Sequence, residues 1–156
     1  MKRSYLGFIA AVAAGLWSLF PVEAQEMRWQ YREGESRFLY LSYEIPETGM
    51  QSLILTCDIQ DRQFSVNYVD DRDRVRDGMR AEVEFASEKG QISLSMLAEQ
   101  QELDNQVMLG AETSLKGDLL KVLNGKTLRV TLSEDTENIP LAGAKKGLSL
   151  LAEACS

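Results

Sequence analysis

The stretch RAEVEFASEKGQISLSML, residues 80–97, decides the fold class because apolar and polar residues alternate on both sides of a turn. The residues on its apolar face are Ala81, Val83 and Phe85 before the turn and Ile92, Leu94 and Met96 after it. A period of two is typical of strands with one buried and one hydrated face, and such strands occur in antiparallel sheets. The sequence therefore predicts an antiparallel hairpin here.

The same alternation recurs along the chain, in RFLYLSYEI (37–45), SLILTCDI (52–59), QFSVNYV (63–69), KTLRVTLSE (126–134) and, less clearly, NQVMLGA (105–111). The last third also contains two stretches with helical periodicity, SLKGDLLKVLNG (114–125) and GAKKGLSLLAEAC (143–155). These patterns predict a mainly β fold with two short helices in the C-terminal third. Short antiparallel strands at this spacing favour a β-sandwich or a partly open barrel, with the terminal helix packed on the sheet.

The two cysteines, Cys57 and Cys155, both lie on predicted apolar faces. Cys57 alternates with Leu55 in a strand, and Cys155 follows Leu148 and Leu151 at helical spacing. An even number of cysteines in an exported protein usually forms disulfides. We expect a single Cys57–Cys155 bridge that ties the terminal helix to the sheet.

The amino terminus has the features of a secretory signal peptide. Lys2 and Arg3 precede an apolar stretch from Tyr5 to Phe20, and Val22-Glu23-Ala24 offers small residues at a cleavage position. The stretch has about 16 residues, fewer than the roughly 20 that span a bilayer. The sequence predicts a signal peptide at 1–24, a single β-rich domain at 25–156, no stable membrane anchor, and a periplasmic or secreted location.

The net charge and the residue types of the chain exclude several classes of function. The formal net charge is −7, which argues against nucleic acid and anionic lipid surfaces and leaves a basic protein partner open. The chain has no histidine, so serine–histidine and cysteine–histidine catalysis are excluded. No acidic residue falls clearly on a predicted buried face, and Glu82 and Glu84 share a hydrated one. We therefore predict no catalytic residue, no cofactor and no enzymatic activity.

The polar run DDRDRVRDGMR, residues 70–80, partly matches the pattern of a calcium-binding loop. Asp73, Asp77 and Gly78 occupy suitable places, but Val75 stands where a ligand is needed. The four arginines of the run balance its four aspartates and would repel a cation. We interpret the run as a hydrated connection between strands and predict no metal site.

Two groups of residues are candidates for binding. The first is aromatic and comprises Trp29, Tyr31, Phe38 and Tyr40, which would contact a partner or fill the core. The second is the pair Lys145 and Lys146 at the start of the terminal helix. Cations there oppose the helix dipole and could hold an anion together with backbone N–H groups, or could simply be hydrated.

The carboxyl-terminal order of a short helix (LLKVLNG), a strand (KTLRVTL) and IPLAGAKKGLSLLAEAC resembles the closing part of invasion-associated locus B-like proteins. It also resembles uncharacterised exported β-rich proteins of Gram-negative bacteria. The resemblance implies an exported β-rich domain linked to the envelope or to host interaction, and it carries over no site residue.

These observations lead to one principal hypothesis and three alternatives. The principal one is a non-enzymatic periplasmic binding or envelope accessory domain that contacts a protein partner. The alternatives are an inhibitor of a cationic hydrolase such as lysozyme, an enzyme that uses carboxylates alone, and a module that binds the cell wall through aromatic side chains.

Overall fold

The computed structural model describes residues 26–35, 37–103 and 105–155, which form nine strands and two helices. The predicted signal peptide lies outside these residues. The strands are β1 (Arg28–Glu33), β2 (Phe38–Glu44), β3 (Gln51–Asp58), β4 (Gln63–Asp70), β5 (Arg80–Ser87), β6 (Gly90–Gln100), β7 (Val107–Thr113), β8 (Thr127–Leu132) and β9 (Asp135–Pro140). The helices are α1 (Gly117–Leu123) and α2 (Lys145–Cys155).

All nine described strands belong to one antiparallel sheet in the order β1-β2-β3-β4-β7-β6-β5-β8-β9. The sheet curls into a half-barrel. Of the two architectures that the sequence left open, the structure therefore has the partly open barrel and not the sandwich. The predicted mainly β fold with two short helices in the last third is confirmed.

The core fills the concave side of the curled sheet. The alternation predicted from the sequence is confirmed in β3, β4, β5 and β8, where Leu55, Val66, Phe85 and Val130 are at most 1% exposed. Helix α1 packs on β5 and β6, and α2 packs on β2 and β3. The two helices thus cover apolar surface that an open sheet would leave in water.

The two edge strands of the sheet approach each other without forming a ladder. The indole Nε1 of Trp29 in β1 donates a hydrogen bond of 2.7 Å to the carbonyl oxygen of Pro140 in β9. Strand β9 was not predicted, because its sequence DTENIP lacks apolar alternation. It pairs with β8 over its whole length, so backbone hydrogen bonds and not a hydrophobic pattern define it.

The predicted disulfide is confirmed. Cys57 in β3 and Cys155 at the end of α2 are bonded, and their Cα atoms are 5.9 Å apart. The sulfur atoms come from apolar faces, as predicted, and both cysteines are buried. The bridge holds the last turn of α2 against the concave side of the sheet.

The close approach of α2 to β2 makes Gly147 a sensitive position. A Cβ atom there would lie 2.6 Å from Leu41 Cδ1 and 3.1 Å from Leu41 Cδ2, and Leu41 is only 1% exposed. Replacing Gly147 with alanine should cost about 1–3 kcal/mol through overpacking, more than the roughly 1 kcal/mol gained in helix propensity. We expect a net loss of unfolding free energy in urea titrations.

The exposed Ser149 of the same helix provides a control, because Ser149→Ala adds no atom at the interface. A Gly147→Ala variant that is more stable than the wild type would show that α2 does not press on β2 as described.

Candidate functional site

Phe38 and Tyr40 lie side by side on the convex face of β2, opposite the face that carries Leu41. Their ring centroids are 6.1 Å apart, and both side chains are half-buried. The guanidinium carbon of Arg37 lies 5.0 Å from the centroid of the Phe38 ring, a cation–π contact. We call Arg37, Phe38 and Tyr40 the aromatic patch.

Acidic residues fix the arginine of the aromatic patch. Arg37 Nε donates to Asp58 Oδ2 at 2.9 Å, and Arg37 Nη2 donates to both Asp58 and Asp61. Hydrogen bonding from Arg37 lowers the pKa of Asp58, aided by the backbone N–H groups of Asp61 and Gln60. Since Asp58 is ionised and fully engaged, it holds the guanidinium over the Phe38 ring in one orientation.

The structure divides the four aromatic candidates between two faces of the sheet. The register of β1 on β2 pairs Trp29 with Tyr43 and Tyr31 with Leu41, so both β1 aromatics face inward. Trp29 is 8% exposed, and its ring centroid lies 5.5 Å from that of Tyr43. Tyr31 is half-buried and packs against the core. The structure therefore leaves Phe38 and Tyr40 as the surface members of the group.

Lysines from four parts of the chain line one groove of about 870 Å³. They are Lys89 in the β5–β6 turn, Lys121 in α1, Lys126 before β8, and Lys145 at the start of α2. We call this the lysine groove. Lys146, the other predicted anion-binding residue, is exposed and is not among the residues lining the groove.

A polar cluster lies on the concave side, where β9 comes close to β3 and β4. Ser52 Oγ donates to Glu137 Oε1 at 2.7 Å, and Tyr68 OH donates to Glu137 Oε2 at 2.9 Å. Burial raises the pKa of Tyr68 to about 12, with Arg74 opposing and Glu137 reinforcing the shift. These hydrogen bonds join the β9 side of the half-barrel to the β3–β4 side.

The polar cluster corrects the expectation that no acidic residue occupies a buried face. Glu137 pairs with Val130 across β8 and β9, which places it on the inward face. Glu44 and Asp70 are 2% and 3% exposed. Glu44 is buried on the same face of β2 as Phe38 and Tyr40, where Arg32, Ser42 and Gln51 donate to its carboxylate. All three acidic residues were missed because sequence alternation identifies buried positions by their apolar members, so that a buried carboxylate resembles a hydrated residue.

Asp70 organises the polar run that partly matches a calcium loop. Its carboxylate accepts backbone N–H groups from Arg72, Arg74 and Val75, at 3.2, 2.7 and 3.2 Å, and Arg74 Nε at 2.8 Å. Asp77 Oδ1 instead accepts the backbone N–H of Gln100. Within the described residues, no three histidine, cysteine or acidic side chains come together as metal ligands would.

A comparison with solved structures matches the chain to invasion associated protein b. The crystal structure of this protein, from Bartonella henselae, matches 81% of the present chain and 89% of its own chain, with 13% identity and a TM-score of 0.48. No protein-family model and no curated protein matches the chain.

The structure has no spanning helix in the residues it describes: none is both long enough and apolar enough to cross a bilayer. The aromatic patch and the lysine groove are two surface features with binding chemistry. The sequence indicated Phe38, Tyr40 and Lys145 but not Arg37, Lys89, Lys121 or Lys126. The roles of those four residues depend on contacts between separate strands, turns and helices, which the sequence alone does not show.

Proposed function

We propose that this chain is an exported, non-enzymatic binding domain that docks a protein partner through the aromatic patch. The observation that carries the proposal is the geometry of Arg37, which is held over the Phe38 ring by Asp58 and Asp61. Aromatic residues and arginine are enriched at protein interfaces, and tyrosine and arginine are frequent binding hot spots. The patch combines these residue types on one convex surface.

The rigidity of the aromatic patch supports a docking role. Immobilising a flexible side chain on binding costs about 0.5–1.5 kcal/mol, and groups already fixed in the free protein avoid that cost. Arg37 is fixed by two carboxylates. Phe38 and Tyr40 extend from β2, which is hydrogen-bonded to β1 on one side and to β3 on the other. A partner would therefore meet a surface that needs little reorganisation.

The charge of the chain favours a basic partner surface. With a formal net charge of −7, the chain attracts cationic proteins over about a Debye length, roughly 8 Å at physiological salt. Such attraction speeds association more than it strengthens the final complex. Binding through the patch should consequently slow as salt rises.

The chemistry of the available residues supports the proposal that the domain is not an enzyme. The chain has no histidine, and both cysteines are consumed by the disulfide. Among the inward carboxylates, Glu137 has a donor on each oxygen and Asp70 accepts four hydrogen bonds. These groups join parts of the fold, which supports a structural role over acid–base chemistry.

Export is the remaining part of the proposal. The Cys57–Cys155 disulfide is typical of oxidising compartments such as the periplasm. The positively charged and apolar character of residues 1–24 agrees with a secretory signal. We therefore place the domain in the periplasm or outside the cell.

Site-specific photo-crosslinking in living cells tests the docking role. A benzophenone amino acid at Tyr40 should give an adduct of one defined mass, because it replaces an aromatic side chain inside the patch. The same amino acid at Ser93, exposed on β6 in a different part of the sheet, provides the control. Mass spectrometry then identifies the partner.

The expected result is a discrete adduct at Tyr40, absent at Ser93 and reduced by Arg37→Gln. The absence of adducts at both positions would contradict the proposal. Equal adducts at both positions would show that contact with proteins is not directed by the patch.

A further inference from the structure

The lysine groove is a second binding feature, separate from the aromatic patch. We propose that it binds a soluble phosphate monoester with a short apolar group, the phosphate lying among the lysines and the apolar part against the groove floor. This inference does not depend on the docking role. The inference rests on two observations, the four lysines that line the groove and the size of the groove.

The convergence of charge is the first reason. The described residues contain six lysines, and four of them line this one groove although the chain is acidic overall. Of the four, Lys121 forms an ion pair with Asp118, at 3.0 Å, and both side chains are largely exposed. Several cations in one cavity repel one another, and a multiply charged anion relieves that repulsion better than a carboxylate does. A phosphate monoester carries −1.5 to −2 charges near pH 7.

Nearby carboxylates leave the groove with an excess of positive charge. Asp118 faces Lys121, and Glu88 accepts the backbone N–H of Lys126 at 2.9 and 3.0 Å. That hydrogen bonding, with help from the charges of Lys89 and Lys126, lowers the pKa of Glu88. The two carboxylates thus offset only part of the positive charge of the four lysines.

The groove floor is the second reason. Leu120 is half-buried at the cavity, and Leu123 and Leu141 form its deeper wall. Gly143 contributes no side chain, and no heavy atom beyond its chain neighbours lies within 4 Å of the place where its Cβ would stand, so the backbone there is open to a ligand. A volume of about 870 Å³ lies within the range of roughly 300–1,000 Å³ that small-molecule sites occupy. An alkyl group therefore fits beside the charge.

The start of α2 adds to the attraction for anions. The first turn of α2 contains no acidic residue, and Lys145 stands there next to the positive end of the helix dipole. A bound phosphate would neutralise both the lysine and the dipole. Lys146 sits one residue further along the helix, outside the groove.

Isothermal titration with n-hexyl phosphate tests the proposal on the disulfide-bonded protein purified from its native cells. Inorganic phosphate tests the charge alone, n-hexanol tests the apolar part alone, and vesicles with phosphatidic acid test a lipid surface as the source. Lys145→Gln removes a groove lysine, and Lys146→Gln makes the same charge change outside the groove.

We expect saturable binding of n-hexyl phosphate, weakened about three- to fivefold by Lys145→Gln and less than about twofold by Lys146→Gln, as for one partly screened ion pair. Inorganic phosphate and hexanol should bind more weakly. No saturable binding of hexyl phosphate, binding to vesicles alone, or equal losses in the two variants would overturn the proposal. Inorganic phosphate binding as tightly as the ester would overturn it as well.

Discussion

Replacing Cys155 with serine is expected to lower the free energy of unfolding by about 4 kcal/mol. The bridge closes a loop with a sequence separation of 98 residues, and the entropy that it removes from the unfolded chain grows with loop length. Helix α2 also loses its covalent attachment to β3. Urea titration monitored by circular dichroism measures the change.

The double variant Cys57→Ser/Cys155→Ser separates the bridge from an unpaired thiol left at Cys57. It should lose about the same free energy as Cys155→Ser, and reduced wild-type protein should match both. A loss below about 1 kcal/mol in all three would show that the disulfide does not stabilise α2 on the sheet.

Replacing Asp70 with alanine should destabilise the protein by about 3–5 kcal/mol, the cost of leaving a buried ionic partner without its nearest counter-charge. The side chain of Asp70 is fully buried and that of Arg74 is 9% exposed, and their ion pair is 2.8 Å long. The substitution also removes the hydrogen-bond acceptor of the backbone N–H groups of Arg72, Arg74 and Val75. Thermal and urea unfolding both measure the loss.

The neighbouring Asp71 provides a matched control. Its side chain is 73% exposed and makes only a long contact, of 3.6 Å, with Arg72. Asp71→Ala should change stability by no more than about 0.5 kcal/mol. Equal losses from Asp70→Ala and Asp71→Ala would contradict the anchoring role of Asp70.

Acid titration gives a second readout of the same interaction. Burial opposes ionisation of Asp70, but hydrogen bonds from Arg74 and from the backbone outweigh it and lower the pKa of the carboxyl. A lowered folded-state pKa stabilises the protein above the unfolded value of about 3.9, and this contribution disappears as the pH falls through the folded value. The acid limb of the stability curve should therefore be shallower in Asp70→Ala than in the wild type.

The alternation of apolar residues predicted most of the fold. Leu55, Val66, Phe85 and Val130 face inward because a strand with one buried face must place its apolar side chains there. Strand alternation likewise placed Cys57 on an apolar face, and helical spacing did the same for Cys155. These predictions succeeded because each depends on residues close together in sequence.

The features that the sequence did not reveal depend on tertiary contacts. Glu137 faces inward through its register opposite Val130, and its two oxygens accept hydrogen bonds from Ser52 and Tyr68, which come from strands distant in the chain. Choosing between a sandwich and a half-barrel required the ladder order, which local periodicity does not encode.

The sequence predicted more of the aromatic patch than of the lysine groove, because tertiary contacts assemble the groove. Phe38 and Tyr40 were recognisable from composition, but Trp29 was not separable from them until the register placed it inside. The lysine groove assembles side chains from separate turns and helices, so only Lys145 carried a local signal. The clustering of lysines after residue 88 was the one sequence clue to the rest.

Mass spectrometry of the protein isolated from its native cells, without reduction, tests export and the terminal attachment of α2 together. We expect a mature chain that begins at Gln25 and a peptide pair joined through Cys57 and Cys155. A chain that retains residues 1–24, or two free thiols in the purified protein, would contradict the account.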